Sequence, residues 1–129
     1  MARIVRRQGM PAVREEGLED RFDAILGADL HLREDCPACR EPEEFQEAQW
    51  KKLRFIRKLC EENRCPFLVA GDLFDHWKPS PWLLSQAMLN LPRETYAVAG
   101  QHDLPGHSLQ EMPRTGLETL RIAGRVITL

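Results

Sequence analysis

The chain has 129 residues, with 18 Lys and Arg against 20 Asp and Glu, a formal charge of −2. That length is one ordinary domain, and 43% hydrophobic with 29% charged residues is a globular balance, which excludes a disordered chain. No apolar run reaches the roughly 18–20 residues that cross a bilayer, and the near-neutral charge argues against wrapping nucleic acid by bulk electrostatics.

Residues 1–21 contain several charges and little periodicity, and read as a loose N-terminal extension. The basic start, with Arg3, Arg6 and Arg7, is followed by no apolar leader core, so the expected compartment is the cytoplasm. Phe22 to Ala28 reads as a short buried strand, and Arg33 to Pro42 as a loop rich in charge and proline. Glu43 to Asn63 is the clearest predicted helix. Phe45, Leu53, Ile56, Leu59 and Cys60 share one arc at 100° per residue, and Lys51, Arg54 and Lys58 fall opposite. Glu43, Glu44 and Glu47 crowd its first turns, which suits the helix dipole. The basic stripe could meet phosphate, but a solvated outer face is the preferred reading.

Pro66 stops that helix, and Phe67 to Ala70 is a continuous apolar run of the kind that fills a parallel sheet. A helix is predicted over Pro81 to Leu91 and a third strand over Thr95 to Ala99. A helical turn at Ser108 to Met112, a short helix at Gly116 to Ala123 and a last strand at Arg125 to Leu129 complete the pattern. Strand and helix alternate throughout, which predicts an α/β fold with a mostly parallel sheet and flanking helices. Right-handed crossovers then bring the strand C-termini to one edge, where open α/β sheets bind ligands.

The cysteines are Cys36, Cys39, Cys60 and Cys65. Cys36-Pro-Ala-Cys39 has the spacing of half a zinc knuckle, but the second pair is not a tight CxxC. Unpaired thiols in a loop and in the core are the preferred reading.

The strand ends carry the chemistry. Asp29-x-His31 follows the first strand, Gly71-Asp72-x-x-Asp75 the second, and Gly100-Gln101-His102-Asp103 the third, with His76 and His107 close behind. Each motif alone has a bland explanation, as a turn, a helix cap or a polar loop. Three in order, each closing a predicted strand, point to a bound cation. Carboxylate oxygen with imidazole nitrogen suits Mn²⁺, Fe or Zn²⁺ better than Ca²⁺. Gly71 and Gly100 allow tight turns and close approach to an ion or a phosphate.

These three motifs resemble the first signature motifs of the calcineurin-like metallophosphoesterases. Gly71-Asp-Leu-Phe-Asp75 is most similar to the DNA-repair exonuclease branch, and its continuation to Pro81 to phage-type members. The resemblance spans residues 22–129 and implies the layered fold of that superfamily. It implies two divalent metal ions, manganese first, with Asp29 and His31 on one, Asp72 bridging, and Gln101 on the second in place of the usual asparagine. It implies that His102 assists the leaving oxygen while Asp103 orients its ring, and that a hydroxide held between the metals attacks phosphorus. Asp75 is read as loop support. The family pattern continues with a further His and a Gly-His-x-His motif, so residues 22–129 are expected to be the N-terminal portion of the domain, with the C-terminal half missing.

Two readings follow. One is a metal-dependent phosphoesterase, a DNA nuclease among the candidates, acting on a phosphoester or nucleic-acid substrate. The other is a non-catalytic remnant that binds metal or a partner. An incomplete sheet leaves an apolar face that invites a homo-oligomer or a complementing chain, and no membrane is implicated.

Overall fold

The computed structural model describes residues 3–5 and 21–129. Four parallel strands form the sheet: β2 (Ala24–Gly27), β3 (Phe67–Ala70), β4 (Thr95–Val98) and β5 (Ile127–Thr128), in that spatial order. Before them in the chain, β1 (Arg3–Val5) pairs antiparallel with β2 at the edge. Within the segment read as a loose extension, then, these three residues form an edge strand; the rest of that segment lies outside the described residues. The connections are α1 (Pro42–Asn63), α2 (Pro81–Asn90) and α3 (Gly116–Ile122), with two 3-10 turns at Pro105–His107 and Leu109–Arg114.

Local chemistry sets the boundaries. Proline opens both long helices, where its missing N–H costs nothing. Ser80 caps α2 by accepting from Leu83 N–H at 3.1 Å, and Thr115 caps α3 by accepting from Glu118 N–H at 3.1 Å. α1 ends on Arg64, whose left-handed backbone (φ 51°) lets Cys65 N–H reach Cys60 O at 3.1 Å. No helix is long and apolar enough to cross a membrane among the described residues.

Alternation along the strands separates two faces. Ile25, Phe67, Val69 and Ala97 point into one core with Leu53 and Ile56 of α1, Leu83 and Ala87 of α2, and Leu117 and Leu120 of α3. All three helices therefore pack on one face. On the other face Leu26, Leu68 and Tyr96 are half-buried and Val98 and Ile127 exposed. The predicted α1 arc holds for Leu53, Ile56 and Cys60, with Phe45 and Leu59 half-buried, but it omits Trp50. That indole is buried one turn before Leu53 and gives its N–H to Gln46 Oε1 at 3.1 Å. The stripe opposite is exposed and partly neutralised within the helix, by Arg54–Glu47 at 2.7 Å and Lys58–Glu62 at 3.6 Å.

Cys36 and Cys39 lie in the loop before α1, whereas Cys60 and Cys65 are buried. All four are free. Burial, reinforced by Cys65, pushes the Cys60 thiol up to about 12, so it stays neutral in the core instead of offering a thiolate.

Candidate metal centre

Parallel register builds the site. Gly27 pairs with Val69, and beyond the strands the two turns run on side by side: Asp29 N–H donates to Gly71 O (3.2 Å), His31 N–H to Asp72 O (3.0 Å) and Leu32 N–H to Leu73 O (2.9 Å). Leu32, Leu73 and Phe74 are buried beneath these turns, so the polar residues between them are held at the surface. On the other side Ala70 pairs with Val98, which brings the Gly100 turn against Asp72. The approach leaves no room for a side chain: a Cβ at Gly100 would stand 2.1 Å from Asp72 Oδ1 and 2.2 Å from its backbone nitrogen.

Asp103 locks the turns together. It is 1% exposed, and its carboxylate accepts from Leu73 N–H (3.2 Å), Phe74 N–H (3.0 Å) and Gly100 N–H (2.9 Å). This corrects the role implied for it by resemblance. Both oxygens are committed to backbone amides, and it is Asp75 that orients the ring of His102, through a contact of 3.0 Å between His102 Nδ1 and Asp75 O. A carbonyl only accepts, so Nδ1 is the donor in this contact.

Three side chains converge at this edge. The ligand atoms of His31, Asp72 and His102 all lie within 4.8 Å of one another. The two imidazoles meet edge to face, centroids 4.8 Å apart at 89°. Asp72 is 8% exposed and accepts His102 N–H on Oδ1 at 2.8 Å, which leaves Oδ2 for a cation. Among the described residues His31 Nδ1 is buried without a hydrogen-bond partner, and Asp75 Oδ1 stands 3.3 Å away. Asp29, His31 and Asp72 all adopt left-handed backbone, φ 52°, 45° and 52°, a conformation that side chains resist and that functional turns retain.

The other predicted residues are placed less tightly. Asp29 is exposed and is not one of the three that converge. Gln101 is exposed beside His102, and its backbone carbonyl lies 3.0 Å from His107 Nδ1. His76 accepts Lys78 N–H at 3.2 Å, lies against Trp77 and is not one of the three that converge.

Sequence reasoning missed Arg33. Its guanidinium pairs with Asp35 and stands 3.4 Å from Asp75 Oδ2, bracing the carboxylate beside His31. That pairing holds the Asp35 carboxyl below its ordinary value, the Arg33 hydrogen bond being the main cause. Gln49 exchanges two hydrogen bonds with the backbone of Arg33 (3.1 and 3.0 Å), and Gln46 Nε2 donates to Arg33 O at 3.1 Å. The amides at positions 46 and 49, three apart on α1, were the available signal.

A parallel sheet whose carboxyl edge gathers two imidazoles and a carboxylate defines a divalent-metal-binding α/β domain. The model of the calcineurin-like phosphoesterase family matches residues 25–125, and the chain belongs to that family. Divalent ions are therefore implied, and the residues present fit them. A mixed N and O donor set suits a first-row transition metal. His31 and Asp72 supply its nitrogen and oxygen donors, and His102 stands at the rim of the same cluster. His31 also has an outer partner of the kind that orients a ligating imidazole, since its Nδ1 lies 3.3 Å from Asp75 Oδ1.

Proposed function

We propose that this protein is a metal-dependent phosphodiesterase of the DNA-nuclease type, working with two divalent ions, manganese by preference. In this reading Asp29 and His31 hold one ion, Gln101 the other, and Asp72 is shared. The observation that carries the reading is the convergence of His31, Asp72 and His102 at the carboxyl edge of the sheet. Bound ions supply Lewis-acid polarisation of the phosphoryl oxygens and an activated water.

The chain's own residues do the rest. Asp72, fixed by His102 N–H and confined by Gly100, presents Oδ2 in one direction. His102 sits at the exposed lip, and with Nδ1–H held by Asp75 O its Nε2, once protonated, delivers a proton to the departing oxygen. Asp103 acts through these groups by fixing the turns, and touches no substrate.

The test is a manganese titration of the full chain by calorimetry, paired with hydrolysis of bis-p-nitrophenyl phosphate. We expect uptake of manganese, a loss of at least about 100-fold in affinity in both Asp72→Asn and His31→Ala, and retained uptake with depressed turnover in His102→Ala. A folded chain that takes up no manganese, iron or zinc overturns the proposal.

A further inference from the structure

A groove runs from the metal centre along α1. His31 forms its inner end, and the cavity has a volume of about 350 Å³, at the small end of the range that holds a small ligand. Its walls are apolar, with Leu30, Phe45 and Leu53 prominent, while Arg40 and Lys52 stand at its mouth. None of the described lining residues is acidic.

These cations differ from Arg33, Arg54 and Lys58 nearby. Arg33, also in the wall, is committed to Asp35 and Asp75. On the far stripe Arg54 pairs with Glu47 and Lys58 with Glu62. Arg40 and Lys52 form no ion pair among the described residues, yet both are exposed and line one cavity. Two uncommitted positive charges beside an apolar slot call for a ligand with an apolar body and an anionic group next to it. The groove also keeps its shape without a ligand, because Gln46 and Gln49 clamp its loop wall to the helix.

We infer that this groove is a nucleotide subsite: a base lies against Phe45 and Leu30, and its phosphate pairs with Arg40 and Lys52. The inference rests on the phosphodiesterase reading and names its substrate class, a nucleotide chain whose next unit lies in the groove while a phosphodiester reaches the His31 end. Aromatic stacking supplies affinity without strong sequence preference, and the two cations fix the direction of the strand.

The test is equilibrium binding to the full chain in EDTA, with the 5′-phosphorylated dinucleotide pTpT, thymidine and inorganic phosphate as probes. We expect pTpT to bind more tightly than either fragment, and Arg40→Glu and Lys52→Glu each to weaken it by roughly tenfold or more. Phe45→Ala is expected to weaken pTpT and leave phosphate unchanged, and Lys51→Glu on the far side to change nothing. Equal affinity in wild type and both charge reversals overturns the inference, as does undetectable pTpT binding or phosphate binding as tightly as pTpT. Because no metal is present, the two readings fail separately. Manganese uptake without nucleotide binding sinks the groove alone, and nucleotide binding without metal uptake sinks the metal centre.

Discussion

The two ends of the same parallel strands are built on opposite principles. At the amino ends the chain enters β3 through Cys65 and Pro66 and β4 through Pro92, and the buried groups are thiols, a proline and Thr95. Backbone hydrogen bonds there join neighbouring strands, Ile25 N–H to Pro66 O (3.0 Å) and Phe67 N–H to Glu94 O (2.9 Å), and Thr95 Oγ1 donates to Pro92 O (2.8 Å). At the carboxyl ends three turns carry acids and imidazoles, the first two with Asp29, His31 and Asp72 on left-handed backbone, and one buried carboxylate ties the second and third together. One end serves packing. The other holds strained polar residues in place, and left-handed residues at about 1–2 kcal/mol each persist only where the surroundings over-determine them.

The largest expected effect tests that over-determination. Asp103→Ala would leave the amides of Leu73, Phe74 and Gly100 without their acceptor in a buried turn. At about 1–3 kcal/mol for each buried unsatisfied group, softened by relaxation, the loss should be about 3–5 kcal/mol in urea denaturation. Asp103→Asn should recover part of it, since one oxygen still accepts. His102→Ala, at an exposed position in the same turn, should stay within about 0.5 kcal/mol of wild type. Comparable losses in the two alanine variants would erase the distinction between a residue that holds the turn and one that is displayed by it.

The second prediction concerns space at the same end. In Gly100→Ala the new methyl falls on Asp72 Oδ1, so the carboxylate or the turn must move. Overpacking of this kind costs about 1–3 kcal/mol, and displacement of a ligand should weaken manganese affinity about 10–100-fold. A chain that loses the stability but keeps its metal affinity would show that Asp72 is not where the ion is held.

How much of this was legible in the sequence follows the same divide. The strand at Phe67–Ala70, the strand read as Thr95 to Ala99 and the helix read as Glu43 to Asn63 were readable to within a residue, because apolar runs and proline stops act locally. So was the clustering of Asp72, His31 and His102, because the parallel order of the strands and one motif per strand end suffice to bring turns together. The partner of each side chain was not readable. Asp103 follows His102 in sequence but faces backward, toward amides thirty residues away, while the His102 ring is held by the carbonyl of Asp75. The roles of Arg33 and of the Gln46 and Gln49 clamp depend on how the loop docks on α1, which periodicity does not encode. Trp50 escaped the apolar arc because at 100° per residue it falls beyond Leu53 at the arc's edge, and its indole is nonetheless buried with a hydrogen bond to Gln46.

The smallest effect sharpens the comparison most. Arg64 has the same left-handed backbone (φ 51°) as Asp72 (φ 52°), but it terminates α1 at the amino end of the sheet and its side chain is exposed. There the conformation serves only to end a helix, a task glycine performs without the Cβ penalty. Arg64→Gly should therefore stabilise the protein by about 0.5–1 kcal/mol, relief of strain exceeding the added entropy of the unfolded chain, with manganese affinity unchanged. Asp72→Gly relieves the same backbone strain yet removes the carboxylate, and should abolish metal uptake in the same calorimeter. If glycine were neutral or harmful at 64, left-handed backbone would carry no cost in this fold, and the strain at Asp29, His31 and Asp72 would say nothing about their purpose.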